Sequence, residues 1–341
     1  MSERPAISII TPTRNRRGVL ERAVASVRGQ TVGEYEHIVV DDASTDGSAE
    51  YCLGLGDSRL RVHRFDVRQG ANEARNRGIA MARAPIVTFL DSDDEFLPRR
   101  LEHTLGILAA DPDVDLLLSS FRVERRGDTA VSVNRDARLD GPELESLLMW
   151  HALYLGGTSI TLRRSTAINC GGYAPTLARM QDRELLLNLA KRHRPLGSSD
   201  WARVSDTVDW TKHESDDSIS RPIAGYVTAL GDLMNVHPDL LERHRLAVQY
   251  HVARHLKDQL RAGRVWLAGR VFAENRQVPA FRFSLPALAA AYRDGRIIRR
   301  RMLRIGMAGT EPLGMRPTDI LPMPQPLETP QGHRLPARRA M

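Results

Sequence analysis

The six residues Phe89–Asp94, FLDSDD, carry most of what this sequence says about its fold. The apolar run Ile86–Leu90, IVTFL, reads as a short buried strand and leads straight into three carboxylates within four positions. Like charges this close repel, at a cost on the order of several kcal/mol, unless a proton or a cation sits among them. A hard divalent ion, Mg²⁺ or Mn²⁺, takes one or two protein carboxylates, keeps some waters and completes its shell with substrate phosphates. An Asp-x-Asp at a strand end, Asp91 and Asp93, therefore suits a metal–diphosphate site. The competing reading is a solvated acidic loop, or an acidic cluster ahead of a helix opened by Pro98.

Working outward, the same arrangement recurs upstream. Tyr35–Val40 (YEHIVV) is a strand pattern ending on Asp41 and Asp42, and Ala6–Thr11 (AISIIT) is a β-branched run before it. Val19–Val27 places Leu20, Ala23, Val24 and Val27 on one helical face. Leu60–Phe65 is a further strand and Ala71–Ala82 a helix carrying Arg75 and Asn76. Strand–helix alternation predicts an α/β fold, a mostly parallel sheet flanked by helices, with its chemistry outside the carboxyl ends of the strands. Both acidic clusters fall there. Downstream come a helix over Pro98–Ala110, strands over Val114–Ser120 and Thr158–Leu162, a helix over Arg183–Ala190 and an apolar segment at Trp201–Val208. Leu147–Leu162 reads as buried core. From about Pro222 the pattern is helical: Tyr226–Asn235, Pro238–Ala262 and Val265–Asn275.

The 341 residues are 42% hydrophobic and 27% charged, the composition of a globular protein. No stretch reaches 18 consecutive apolar residues, and MSERPAISII lacks the organisation of a signal peptide, so a cytoplasmic location is expected. Cys52 and Cys170 stand far apart and read as buried free thiols. The net charge of +7 admits nucleic acid, an anionic membrane or a phosphorylated substrate. Nucleic acid is disfavoured: there is no finger spacing, and aromatics make up only 5%. Much of the charge lies in Phe283–Ile305, where six arginines between Arg293 and Arg304 face one acid, Asp294. Ser284 caps this helix, Pro286 fits its first turn and Gly306 ends it. A basic amphipathic helix can lie on an anionic membrane surface, which would make the protein peripheral there; the plainer reading is an ordinary surface helix. The tail, residues 307–341, is proline-rich and expected to be flexible, with seven prolines from Gly309 onward.

Taken together, ISIITPTRNR, VVDDASTDGS, GANEARNRGIAMARAPIVTFLDSDDEFLP and GGYAP, in this order and spacing, resemble the family 2 glycosyltransferases with a GT-A fold over roughly residues 5–220. The resemblance implies a catalytic domain over 1–220, with a nucleotide-binding half to about residue 100 and an acceptor-side half beyond it. The helical region, 221–306, is assigned acceptor recognition, homo-oligomerisation or both. It further implies an inverting transfer of a sugar from a nucleoside diphosphate donor to an acceptor hydroxyl, with Mg²⁺ or Mn²⁺ as cofactor. Uridine diphosphate is taken first and thymidine diphosphate second, because either base offers an imide that Asp42 would read. Carried over by position, Pro12 and Arg14 line the nucleotide pocket and Arg75 approaches the donor phosphates. Asp91 and Asp93 form the Asp-x-Asp, with Asp93 the direct metal ligand. Gly171, Gly172 and Tyr173 fall in the acceptor-side loop, and Asp182 is the general base. His213, followed by Asp216 and Ser218, is placed to close the metal site. The acceptor is a carbohydrate, a lipid-linked sugar or a small molecule.

Three positions depart from the family pattern: Arg14 for an aromatic, Gln181 for a glutamate and Asp216 for an asparagine. Of the neighbouring groups, Asp46 reads as a helix cap and Glu184 as a solvated first-turn acid. His37 and His63 read as partly buried strand residues, and His193 as part of a basic surface run. Two rival functions stand beside the transferase. A nucleotidyltransferase should carry a glycine-rich loop after the first strand, where this chain has only Gly18. A non-catalytic sugar-nucleotide-binding scaffold would leave Asp182 remote from the donor site.

Overall fold

The computed structural model describes residues 4–125, 128–193, 197, 199–214, 225–278 and 281–308. Asp216, Ser218 and the tail from Gly309 lie outside them. Ten strands are present among the described residues: β1 (Ile7–Thr13), β2 (Tyr35–Asp41), β3 (Leu60–Arg64), β4 (Ile86–Phe89), β5 (Glu95–Phe96), β6 (Leu116–Arg125), β7 (Asp128–Ser132), β8 (Ala137–Leu139), β9 (Ile160–Arg163) and β10 (Ala202–His213). The helices are α1 (Arg17–Arg28), α2 (Ser48–Gly54), α3 (Ala71–Met81), α4 (Arg100–Ala110), α5 (Gly141–Met149), α6 (Arg164–Asn169), α7 (Gln181–Arg192), α8 (Tyr226–Val236), α9 (Pro238–Arg243), α10 (Arg245–Arg261), α11 (Val265–Gln277) and α12 (Leu285–Gly306).

One sheet runs in the order β3-β2-β1-β4-β9-β6-β10-β5, with β7 added to β6 and β8 to β10. The half built from β3, β2, β1 and β4 is parallel. β9 enters antiparallel between β4 and β6, and β6 and β10 run parallel beyond it. β1 and β2 are buried along their whole length, as expected of strands covered on both faces. The stripe Leu20, Ala23, Val24 and Val27 is the buried face of α1. Because the chain leaves β1 for β2 on one side and β4 lies on the other, a crevice opens at the carboxyl ends of these three strands. Thr13 is level with Asp41, and Ile10 with Phe89, so the segments after all three strands converge there.

The second half of the sheet domain and the helices that follow share one apolar cluster, in which Leu147 and Leu148 of α5 join Val227, Leu230, Val248 and Val252. The expected single helix over Pro238–Ala262 is broken at His244. Its ring and the Arg243 guanidinium turn onto Glu145 of α5, each 2.7 Å away, and the backbone leaves the helical conformation there. Arg100 opens α4 two residues later than Pro98 suggested. It is fully buried and binds both oxygens of Asp209 at 2.7 Å. Burial raises the Asp209 pKa, and the Arg100 charge opposes it. The same guanidinium donates to the Thr158 carbonyl at 3.2 Å, tying α4 and β10 to the short 3₁₀ turn Gly157–Ser159. That turn replaces the start of the strand expected from Thr158.

Candidate active site

Asp91 and Asp94 sit under the Gly157–Ser159 turn. Thr158 accepts from the Asp91 amide at 3.1 Å and donates its hydroxyl to Asp94 at 2.6 Å. Asp94 is buried; desolvation, then the charges of Asp91 and Asp93, push its pKa well above the carboxylate range. The other two carboxylates hold arginines. Arg75 of α3 donates to Asp91 at 2.6 Å, and Arg16, after β1, pairs with Asp93. Arg22 adds a bond to the Asp93 carbonyl at 2.7 Å.

Asp182, in the first turn of α7, comes to the same place from 91 positions further on in the chain. A Cβ at Gly157 would lie 3.2 Å from both Asp182 Oδ1 and Asp91 Oδ2, so the two carboxylates flank a gap that only a glycine leaves open. Desolvation raises the Asp182 pKa; Arg75 opposes that, while Asp91 adds to it. Asp182 Oδ1 and the Nε and Nη1 atoms of Arg75 are buried without a hydrogen-bond partner among the described residues. Buried polar groups are ordinarily satisfied, so orphans on both an acid and a base mark the place where a polar ligand belongs. Tyr173, 1% exposed, packs its ring edge-to-face on Phe89 and lies beneath the Arg75 guanidinium, 5.2 Å from its centroid.

Tyr173 is held by α3. Asn76 accepts from the Tyr173 amide at 2.8 Å and donates to its carbonyl at 2.9 Å; Asn72 donates to the carbonyls of Ala174 and Leu177 at 2.7 and 2.9 Å. Gly171 and Gly172 adopt φ of +87° and +69°, and a Cβ on Gly172 would run into the Asn76 amide. The GANEARNRG and GGYAP motifs are therefore one mechanical unit. Asn15, Ala43 and Met180, all non-glycine residues with positive φ, lie in the loops after β1 and β2 and just before α7. Such backbone persists only where its surroundings over-determine it.

The remaining expected residues occupy varied settings. Pro12 is buried in β1, and Arg14 is exposed at its end. Asp42 is buried and accepts from the amides of Gln69 and Gly70, which fixes the loop leading to α3. His213 is bracketed by Glu95 at 3.2 Å and Glu124 at 3.3 Å, so ligating a metal would require it to release one of them. Asp46 is structural, as expected: it accepts from Ser48 and from the Arg17 amide at 2.8 Å. Several expectations fail on burial. Glu184 is not solvated; it is buried, bonds His237 at 3.2 Å and accepts from the Ala174 amide. His37 is fully buried in β2, facing Thr11 at 2.9 Å, and burial depresses its pKa to about 3. His193 belongs to no surface run: it bonds Asp115 at 2.8 Å and packs on Trp201. Burial disfavours its charge, but the Asp115 bond prevails and its pKa rises to about 9. The contributions of Thr158, Gly157, Asn72 and Asn76 were missed in sequence. The asparagines sit four apart on one helix face, which was the available signal; nothing near Thr158 pointed across the sheet to Asp94.

Among the described residues no three His, Cys, Asp or Glu side chains converge as a ready-made metal cage. Asp91 and Asp93 present hard oxygens beside two arginines. That fits a divalent cation shared with a bound diphosphate and does not fit a protein-only site.

These features define an α/β domain with a crevice at the carboxyl ends of its parallel strands, where Asp91, Asp182 and Arg75 meet. Residues 8–174, just under half of the chain, match the model described as glycosyl transferase family 2, and with the relatives below this supports a family 2 glycosyltransferase. The chain is 30% identical over 203 residues to uncharacterized protein MT1568 of Mycobacterium tuberculosis, covering 55% of this chain and 63% of that one. It is 32% identical over 102 residues to the UDP-Glc:alpha-D-GlcNAc-diphosphoundecaprenol beta-1,3-glucosyltransferase WfgD of Escherichia coli, covering 30% and 40%. The chain thus spans less than two thirds of either relative. Among solved structures, TarS 1-349 of S. aureus in complex with UDP-GlcNAc superposes with a TM-score of 0.63 at 16% identity, over 87% of this chain and 91% of that one. The mannosyltransferase PcManGT of Pyrobaculum calidifontis, in complex with GDP-Man and Mn²⁺, gives 0.52 at 18% identity over 89% and 84%. Both likenesses concern the fold.

Proposed function

We propose that this chain transfers a sugar from a nucleoside diphosphate donor to an acceptor hydroxyl, with inversion and with a divalent cation. The observation that carries the reading is the meeting of Asp182 with the Asp91–Arg75 pair across Gly157, each side with an unsatisfied buried atom. Asp182 takes the acceptor proton as the acceptor oxygen bonds to the anomeric carbon. The bond from that carbon to the donor phosphate breaks, and the electron pair leaves with the diphosphate. Its raised pKa makes Asp182 a stronger base than an exposed aspartate. Arg75 faces the leaving diphosphate with its free Nε and Nη1, a stabilisation that counts most in a site closed to water. A cation held by Asp91 and Asp93 would supply Lewis-acid neutralisation of the leaving group; His213 joins it only on leaving Glu95 or Glu124. The WfgD and TarS names support a uridine donor, and the GDP-Man in PcManGT keeps the base open. Pro12, Arg14 and Asp42 line the base end in this reading, and Gly171, Gly172 and Tyr173 the acceptor side.

The test is calorimetry of UDP, dTDP and GDP with Mn²⁺ and with EDTA, on wild type, Asp93→Ala and Asp182→Asn. Metal-dependent binding lost in Asp93→Ala and kept in Asp182→Asn is expected. With an active donor–acceptor pair, Asp182→Asn should lower kcat by about 10²–10⁴-fold. Metal-free binding indifferent to Asp93 would sink the metal assignment, and an active Asp182→Asn would sink the base.

A further inference from the structure

The turn between α10 and α11 leaves large apolar side chains uncovered. α10 buries Val252, His255 and Gln259 and ends at Arg261. Gly263, at φ +69°, stops it: the Gly263 amide donates to the Leu260 carbonyl at 3.1 Å and the Arg264 amide to the Gln259 carbonyl at 3.0 Å. This double closure of the helix end leaves the turn little freedom. α11 then buries Ala268, Val271 and Asn275, and Trp266 heads the opposite stripe with Arg270, Ala273 and Gln277.

All seven residues from Leu260 to Trp266 are exposed. Leu260, Val265 and Trp266 are 52%, 68% and 69% exposed. Leu53, Val67, Val131, Ile168 and Val236 are exposed singly, which is ordinary; three within seven positions, one of them a tryptophan, call for a partner.

The charge around them says which kind. Arg261 and Arg264 are exposed in the same turn, and the chain carries no acid between Asp258 and Glu274. Those two acids are engaged within their own helices, Asp258 at 3.6 Å from Arg254 and Glu274 at 3.2 Å from Arg270. A second copy of this chain is a poor occupant, because a twofold contact would bring the arginines of one turn against those of the other. A lipid surface with anionic headgroups supplies the missing counter-charge, and the headgroup layer is where an indole ring, apolar with one N–H, is at home.

We propose that the α10–α11 turn is a membrane-contact tip, whose Leu260, Val265 and Trp266 enter the interfacial layer of an anionic lipid surface while Arg261 and Arg264 meet its phosphates. The proposal is independent of the donor chemistry. One turn is a weak hold by itself; stable attachment takes a second signal, and the outward arginines of α12 are the available one.

Trp266 is its own probe, since Trp150, Trp201 and Trp210 are all buried. The full chain is titrated with phosphatidylglycerol and with phosphatidylcholine vesicles, and the difference between wild type and Trp266→Phe isolates the Trp266 emission. Phosphatidylglycerol should shift that emission to the blue and protect it from acrylamide, and phosphatidylcholine should do neither. Val265→Ser with Trp266→Ser should bind phosphatidylglycerol at least about tenfold more weakly in sedimentation, because two apolar side chains lose their burial. Arg261→Gln with Arg264→Gln should weaken it by about tenfold or more. Melting curves check each variant; if one fails to fold, the wild-type emission still decides. A chain that does not bind the vesicles, or that sediments with them while Trp266 stays open to acrylamide, as contact through α12 alone would give, overturns the proposal. Protection already present without vesicles means that this chain or a second copy covers the turn, and overturns it too. The same protection from polyglutamate in place of lipid identifies an acidic protein as the partner and rules out the membrane.

Discussion

Gly157 is the residue on which the proposed catalytic arrangement turns. Its missing side chain leaves Asp91 and Asp182 facing one another, and a methyl group there would stand 3.2 Å from an oxygen of each. Gly157→Ala should therefore fold with near wild-type melting behaviour yet lose at least about tenfold in kcat/KM, because a small misplacement of reacting groups is costly; an unimpaired Ala variant would mean that the gap is not where substrate sits. His193 shows the same dependence on setting through pH. Its pKa is about 9 in the folded chain, above the ordinary histidine value near 6.5. The stabilisation from its bond to Asp115 is complete below about pH 6.5 and is lost as pH rises through about 9. Melting temperature should fall across that window in wild type and flatten in His193→Gln. Equal slopes in the two proteins would remove His193 from the account. In sequence His193 stands in a run of basic residues, and only the partner supplied by the strand segment at Asp115 separates it from them.

At the scale of elements, the parallel half of the sheet was legible because β2 and β4 are short apolar runs leading into acids, β1 is a β-branched run, and α1 has a one-sided apolar stripe. β9 was read as a strand, but its antiparallel entry between β4 and β6 was not legible, since register and direction are set by long-range pairing that no local pattern records. The acidic site was legible in outline: Asp91, Asp93, Arg75 and Tyr173 do gather, and Asp182 reaches them. Glu184 was misread because a first-turn acid is usually solvated, and its partner His237 lies beyond 50 residues of intervening chain. The Arg100–Asp209 pair was invisible for the same reason. Both charges are buried, so removing one partner strands the other. Arg100→Met should cost about 3–5 kcal/mol in urea unfolding, and Arg100→Met with Asp209→Leu should recover much of that loss. If the double variant is no more stable than the single one, the pair is not an isolated unit and the contact to Thr158 dominates.

At the scale of the whole molecule, α12 buries Leu288, Ala291, Gly295, Arg299 and Leu303 and turns Arg293, Arg296, Arg300, Arg301 and Arg304 outward, with Ile297 74% exposed among them. The helix was legible from its cap and arginines, but the inward turn of Arg299 was not, because a charge is not expected on a buried face. No helix among the described residues is long and apolar enough to cross a membrane. The outward face should sediment with phosphatidylglycerol vesicles at low salt and release near 0.5 M NaCl as screening shortens to about 4 Å. Replacing Arg300, Arg301 and Arg304 by glutamine should abolish that sedimentation, and vesicle binding indifferent to salt and to these residues would rule the face out. α3 has a reach of its own at this scale. In the proposed reading, this one helix carries Arg75 toward the donor diphosphate and, on Asn72 and Asn76, holds the loop with Tyr173 on the acceptor side. Any movement of that helix on filling one half is felt in the other as a change in affinity. Thermodynamic reciprocity then requires donor and acceptor to sharpen or blunt each other's binding by the same factor.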